Sequence, residues 1–283
     1  MNNRQQVRLQ AGTSIELAAP IPRNRHWRFA LFDFDGTLSL IREGWFEIMS
    51  SMFIDELAGC NTSETPEQLA DVVRRFITDL TGKQTIYQML QLAEEVRQRG
   101  GQPREALDYK HAYHQRLMSH VSGRRDGLRE GSIDPQDLMV PGSRVILDEL
   151  QRRDITLYLA SGTDLDYVRE ETELLGLSHY FGTHIYGAVD DYASFSKQQV
   201  ITGLLQEHAI DGSQLIGFGD GYVEIENVKQ AGGLAVAVAT AEATLGGQTD
   251  PWKRQRLLDV GADIVIPDFQ ESRQLCDMIW GTD

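Results

Sequence analysis

Apolar positions along the chain follow two different periods. The first kind is the short apolar run. Phe29-Ala30-Leu31-Phe32 leads straight into Asp33, and similar runs occupy 155–160, 183–187, 215–218, 234–239 and 263–266. Runs of this length that both faces of a sheet can bury predict parallel strands. Between them lie helical patterns over 141–152, 165–175, 197–208, 222–231, 254–258 and 269–279. Strands alternating with helices predict βαβ units. The expected class is α/β, a Rossmann-like doubly wound parallel sheet with helices on both faces.

The second kind occupies 39–137, where apolar residues recur at helical spacing. Trp45, Phe46, Met49, Met52, Phe53 and Leu57 form one set, and Leu69, Val72, Val73, Phe76, Ile77 and Leu80 a second. Ile86, Tyr87, Leu90, Leu92 and Val96 form a third. These spacings predict amphipathic helices. Thr65-Pro66-Glu67 has the form of a helix start, Gly100-Gly101 that of a stop, and Pro103 opens a further helix to about 118. The glycine-rich, charged stretch 121–135 reads as a loop. The expected organisation is a loosely docked lead-in at 1–25, a sheet core from 26–40 and 138–283, and an inserted helical domain at 41–137.

Composition bounds the partners. The 283 residues are 41% hydrophobic and 24% charged, enough for a full core and two domains. Acids outnumber bases 42 to 27, a net charge of -15. So acidic a surface argues against nucleic acid or an anionic membrane as the main partner. A small anionic substrate remains compatible, because a bound cation inverts the field locally. Two distant cysteines, Cys60 and Cys276, make neither a disulfide framework nor a thiolate cluster, and the expected compartment is the cytoplasm. No apolar run reaches membrane-spanning length.

Polar residues gather just beyond the predicted strand ends, where open α/β sheets bind ligands. Asp33 and Asp35 follow the first strand. Two such carboxylates close together call for a cation, and oxygen ligands suit Mg²⁺. Ser161-Gly162-Thr163-Asp164 follows the second strand. Gly162 permits close backbone approach to an anion, and Ser161 and Thr163 can donate to it. Thr163 and Asp164 also read as ordinary helix N-caps. Lys197 sits in a first helical turn, against the helix dipole, which suits a lysine aimed at a carboxylate-rich cleft. Gly219-Asp220-Gly221 ends a later strand, with Glu224 one turn on. Neither a dinucleotide fingerprint nor a P-loop is present.

Taken in order over about 28–270, these sites resemble the haloacid dehalogenase superfamily. Asp33-Phe34-Asp35-Gly36-Thr37-Leu38 is similar to its first motif, Ser161 to its second, Lys197 to its third, and Asp220 with Glu224 to its fourth. The helical insertion resembles the C1-type cap of the phosphoglycolate phosphatase and β-phosphoglucomutase-like group. The resemblance implies a Mg²⁺-dependent phosphatase acting on a small phosphorylated metabolite, a sugar or organic-acid phosphate. Asp33 would be the nucleophile and Asp35 the general acid and base. Asp33, Asp35, Asp220 and Glu224 would hold the metal, and Ser161 and Lys197 the phosphoryl oxygens. Halide-removing members lack an acid at the position of Asp35, so phosphoryl transfer is favoured. Glu224 stands where many relatives carry Asp.

Substrate choice is expected to lie in the insertion and its entry, with Arg42, Glu43, Trp45, Lys83, Gln84 and Thr85 as candidates. His111, His114 and His120 read as a surface helix face. A phosphomutase is the main alternative. A phosphonate-cleaving enzyme would need Lys83 as a Schiff-base lysine, and a non-catalytic binding module would have little use for so full a set of acids, serine and lysine.

Overall fold

The computed structural model describes residues 7–23, 25–60, 62–189 and 191–281. In chain order the strands and helices are β1 (Arg8–Leu9), β2 (Glu16–Leu17), β3 (Phe29–Phe32), α1 (Trp45–Ala58), α2 (Pro66–Leu80), α3 (Thr85–Gln98), α4 (Ala106–Glu130), α5 (Ser143–Gln151), β4 (Thr156–Asp164), α6 (Leu165–Leu174), α7 (Ser178–Phe181), β5 (Ile185–Ala188), α8 (Lys197–Glu207), β6 (Leu215–Gly219), α9 (Tyr222–Ala231), β7 (Leu234–Val238), α10 (Pro251–Asp259), β8 (Ile264–Ile266) and α11 (Ser272–Trp280). They build a single sheet in the order β1-β2-β8-β7-β6-β3-β4-β5. Strands β3 to β8 pair in parallel, and β1 and β2 are antiparallel at one edge. This is the α/β architecture that the alternating pattern predicts. Among the described residues no helix is long and apolar enough to cross a membrane.

The central strands are buried on both sides, so alternate residues feed two cores. Ala30, Phe32, Leu157, Leu159, Ile216 and Phe218 pack against Ile146 and Leu150 of α5, Val168 of α6, and Leu275 and Ile279 of α11. Phe29, Leu31, Tyr158, Ala160, Leu215 and Ala235 face the other way, onto Ile201 and Leu204 of α8, Ile225 and Val228 of α9, and Leu257 of α10. Phe32 and Phe218 stack with ring centroids 4.5 Å apart across the β3–β6 pair.

Three expectations need correction. The described part of the lead-in is not loosely docked: Glu16 and Leu17 pair with Val265 and Ile264. Ser14 donates through its N–H and Oγ to Glu271 Oε2 at 2.8 and 2.7 Å, and Arg254 forks onto Glu16. Two-residue strands carry too little periodicity to be seen in sequence. Next, α4 runs on through the stretch expected to be a loop and stops at Gly131, which takes a left-handed φ of 71°. Its late arginines are held from outside: Arg124 donates to the carbonyls of Ile41 and Glu43, and Arg125 pairs with Glu170. Tertiary partners thus override the composition of the segment. Last, β4 extends through Asp164, with a register shift against β5 after Ala160.

Helices α1 to α4 pack on one another through the predicted apolar faces, with Phe53 stacked on Phe76 at 5.4 Å. Thr65 and Gln68 close a reciprocal capping box at the start of α2. The unit touches the sheet's carboxyl ends at several points. Gln84 Nε2 donates to the carbonyls of Tyr192 and Phe195 at 2.9 and 2.6 Å, and Tyr222 donates through its hydroxyl to the carbonyl of Asp79. A Cβ on Gly162 would come within 2.7 Å of the Lys83 carbonyl oxygen, so glycine there lets the 82–84 turn approach β4.

Candidate active site

Three adjacent strands deliver the site. Phe32 is level with Leu159 of β4 and Phe218 of β6, so Asp33 emerges between them, and its N–H donates to the Phe218 carbonyl at 2.9 Å. Ser161, within β4, stands on one side and Asp220 follows β6 on the other. Lys197 opens α8 behind a Ser196 N-cap, whose hydroxyl accepts from the Gln199 N–H. A cavity lined by Asp33, Asp35, Ser161, Gly162, Thr163, Lys197 and Asp220 on the sheet side lies at this switch point.

Asp33 is buried. Its Oδ1 accepts the Phe34 N–H at 2.8 Å and lies 2.8 Å from Lys197 Nζ. Burial raises the carboxyl, Lys197 pulls it down and repulsion from Asp220 pushes it up again, leaving it at about 6. Lys197 is shared with Glu224. Glu224, expected among the metal ligands, pairs through Oε1 with Lys197, which is thereby wedged between two acids, while its Oε2 is buried without a hydrogen-bond partner. The longer glutamate arm makes that reach possible.

Asp35 Oδ2 accepts from Thr163 Oγ1 at 2.9 Å and from Ser161 Oγ at 3.3 Å. Ser161 Oγ also accepts the Thr163 N–H at 3.0 Å. The two hydroxyls therefore orient the second acid. The other oxygen, Oδ1, is buried with no hydrogen-bond partner, and Arg42 Nε stands 3.7 Å from it. An orphaned buried carboxylate oxygen facing a cavity is a group awaiting a ligand or proton. Arg42 itself is forked onto Glu171, Nε and Nη2 each at 2.9 Å. Its charge is thus largely answered within the protein, where it also lines the cavity beside Asp35.

Sequence reasoning missed the surroundings of Asp220. Lys253 Nζ lies 2.7 Å from Asp220 Oδ2 and also pairs with Glu242. Burial opposes the ammonium charge, but the two carboxylates hold its pKa above the ordinary lysine range. The Asp220 N–H donates to Thr37 Oγ1 at 3.0 Å, giving the threonine of the first motif a task. Gly36 has φ 73°, and a Cβ there would collide with Asp220 Oδ2. Only the Asp-Gly-Thr string signalled any of this; Lys253 and Glu242 carried no local pattern.

Among the described residues no three His, Cys, Asp or Glu side chains converge as a cage for a metal. The facing pair Asp33 and Asp220 nonetheless fits a hard divalent cation. Their mutual repulsion helps to raise the Asp33 carboxyl, and Mg²⁺ characteristically takes one or two carboxylates and keeps several waters.

The remaining expected residues divide. Lys83, Thr85 and Trp45 line the cavity, while Gln84 joins the helical unit to the sheet domain. Glu43 does not reach the cavity; its Oε2 is 2.7 Å from Arg124 Nη2, at the entry to α1. His114 is not on a surface face. It is buried, with Nδ1 3.6 Å from Asp164 Oδ2, and Asp164 also takes Lys110 at 2.6 Å. A second cavity lies beyond the Lys253–Asp220 pair, lined by Arg74, Trp252 and Arg256 among others.

A family model described as haloacid dehalogenase-like hydrolase matches residues 27–232. Among curated proteins none matches the sequence. Solved structures share the fold. A protein described as a predicted phosphoglycolate phosphatase from Haemophilus somnus aligns at 15% identity and TM-score 0.55, over 88% of this chain and 98% of its own. A β-phosphoglucomutase from Clostridium difficile aligns at 13% identity and TM-score 0.59, over 90% and 98%. A conserved haloacid dehalogenase-like protein of unknown function from Agrobacterium tumefaciens aligns at 16% and 0.55, over 88% and 97%.

Proposed function

Because the chain belongs to the haloacid dehalogenase-like hydrolases, we propose that it is a Mg²⁺-dependent phosphatase that releases phosphate from a small phosphorylated metabolite through a phosphorylated Asp33. The observation that carries this reading is the pairing of Asp33 with a second acid, Asp35. Asp35 is held by two hydroxyls and has one oxygen left over. Halide removal has no use for such an acid, because no alkoxide leaves. Phosphate ester cleavage requires one.

The contacts support the following roles. The Phe34 N–H and Lys197 engage Asp33 Oδ1, which fixes the carboxylate's orientation, and Oδ2 is left for attack on phosphorus in line with the leaving oxygen. Asp35, pinned by Ser161 and Thr163, protonates that oxygen. It then takes a proton from the water that cleaves the acyl phosphate. Lys197 neutralises phosphoryl oxygens, and Glu224 fixes its ammonium. Asp33, the Asp35 backbone carbonyl and Asp220 would hold Mg²⁺, which supplies charge neutralisation to the transferring group. Helices α1 to α4 act as the cap, residues 41–137, over a core of 26–40 and 138–283. Its contacts through Gln84 and Tyr222 support a closed state that excludes water.

Phosphate release from a panel of phosphomonoesters, with Mg²⁺ and with chelator, tests the reading. Asp33→Asn should cut the rate by ~10⁴-fold or more while leaving the circular dichroism spectrum in place. Near-normal turnover by that variant would remove the nucleophile. A phosphomutase shares the first half-reaction, and phosphate release without a bisphosphate activator separates the two.

A further inference from the structure

The cavity over Asp33 has one wall that the chemistry above does not use. It comes from the helical unit, where Thr85 and Gln88 of α3 and Tyr113 of α4 stand with apolar Met49 and Leu117. Gln88 and Tyr113 are each only 4% exposed. Among the described residues, neither the Gln88 amide, the Tyr113 hydroxyl nor the Thr85 hydroxyl has a hydrogen-bond partner, and the polar atoms of Gln88 and Tyr113 are not sealed away from the cavity they line. Buried polar groups in folded proteins are normally paired. Three unpaired groups on one wall of a cavity are paired by whatever enters it.

The chemistry of the wall narrows that ligand. An amide, a phenol and an aliphatic hydroxyl each both donate and accept. That matches substrate hydroxyls, which also do both. A carboxylate or second phosphate only accepts, and it needs a cation to offset its desolvation. The buried cations nearby are engaged: Arg42 by Glu171, Lys197 by Asp33 and Glu224. Lys83 also lines the cavity, but as an exposed side chain open to water it offers no desolvated counter-charge for a buried anion. Size narrows the ligand further. The cavity is about 90 Å³, well below the ~300–1,000 Å³ of pockets that take drug-sized ligands, which favours a phosphoryl group on a short chain.

We propose that Thr85, Gln88 and Tyr113 bind the hydroxyl groups of a short, uncharged polyol, so that the substrate class is the phosphomonoester of such a polyol. This rests on the phosphatase reading and deepens it. The selecting wall contributes hydrogen bonds to the leaving group, while phosphorus is handled from the sheet side.

The test compares kcat/KM in Mg²⁺ for glycerol phosphate, phosphoglycolate, glucose phosphate and acetyl phosphate, in the wild type, Gln88→Leu and Tyr113→Phe. Acetyl phosphate has no hydroxyl and reports the phosphoryl chemistry alone. The wild type should prefer glycerol phosphate. Each variant should lower the ratio of glycerol phosphate to acetyl phosphate by about tenfold, mainly through KM. Tyr113→Phe removes a single oxygen and keeps the ring in the core, so it reports even where Gln88→Leu folds poorly. A wild-type preference for phosphoglycolate or glucose phosphate would overturn the inference, as would a ratio unmoved in Tyr113→Phe. Absence of phosphate release from every compound, acetyl phosphate included, would remove the phosphatase reading and this inference with it.

Discussion

Lys253→Met is the substitution whose consequence can be worked furthest from the structure. The ammonium sits 2.7 Å from Asp220 Oδ2, pairs also with Glu242, and is 16% exposed. Methionine keeps the length of the stem but removes the charge between two carboxylates that are themselves mostly buried. Breaking a buried pair from one side costs about 3–5 kcal/mol, because the partner charge stays behind. Here two partners stay behind, but one can escape by taking a proton. Burial already raises the Glu242 carboxyl, partly offset by Lys253, with Asp220 adding repulsion. The loss at pH 7.5 should therefore lie near the low end, about 3 kcal/mol. With the lysine gone, the Glu242 carboxyl, already raised by burial, loses the group that pulls it down. The folded form then binds more protons than the unfolded form, and stability falls as pH rises through its titration range. The deficit should shrink on going from pH 7.5 to pH 5. Urea unfolding in chelator measures it. With a slope near ~3 kcal/mol/M for a chain of this size, the midpoint should drop by about 1 M at pH 7.5. Adding Glu242→Gln to Lys253→Met should recover part of that drop, because one stranded charge is gone. An unchanged midpoint, a deficit that grows at low pH, or a double variant weaker than the single one would refute the reasoning.

Mg²⁺ should raise the melting temperature more at pH 7.5 than at pH 5, because below about 6 the Asp33 carboxyl is protonated and the cation must displace that proton; equal shifts would count against Asp33 as a ligand. Burial holds the His114 imidazole down to about 4, with Asp164 pulling up and Arg42 and Lys110 pushing further down. Its contribution is therefore intact above about 6.5 and lost as pH falls toward 4, by of order 2–3 kcal/mol. His114→Gln should flatten acid unfolding over that window. Gly36→Ala forces a side chain to a φ of 73° and against Asp220. It should cost roughly 1–3 kcal/mol from the backbone alone and weaken Mg²⁺ binding measured by calorimetry.

The core strands and helices were readable along the chain because the central strands are buried on both faces and therefore apolar throughout. Asp33, Asp35, Ser161 and Asp220 were readable because they stand at the carboxyl ends of such strands, and Lys197 because it opens a helix against the dipole. What escaped has physical causes. The β1–β2 edge is two residues long per strand and leaves no period. The end of α4 is held by Arg124 and Arg125 through partners distant in sequence. Thr163 looked like a helix cap, yet its hydroxyl serves Asp35, because β4 continues past the predicted end and turns that side chain inward. Glu43 and Arg42 looked like free charges at a cleft mouth, but Arg124 and Glu171 neutralise them. Charges find their partners in three dimensions, and a linear pattern does not say which remain free. Gln88 and Tyr113 stood hidden for the opposite reason: both sit at core-facing helical positions, where a polar residue looks like packing.

The claim on which the account turns is the identity of the group that accepts phosphorus. Substrate mixed with enzyme, quenched in acid within the first turnovers and reduced with borohydride, converts an aspartyl phosphate to homoserine, which peptide mass spectrometry can locate. The account predicts homoserine at position 33, dependent on substrate and absent from Asp33→Asn. Homoserine at another carboxylate, or turnover with none formed at position 33, would contradict it.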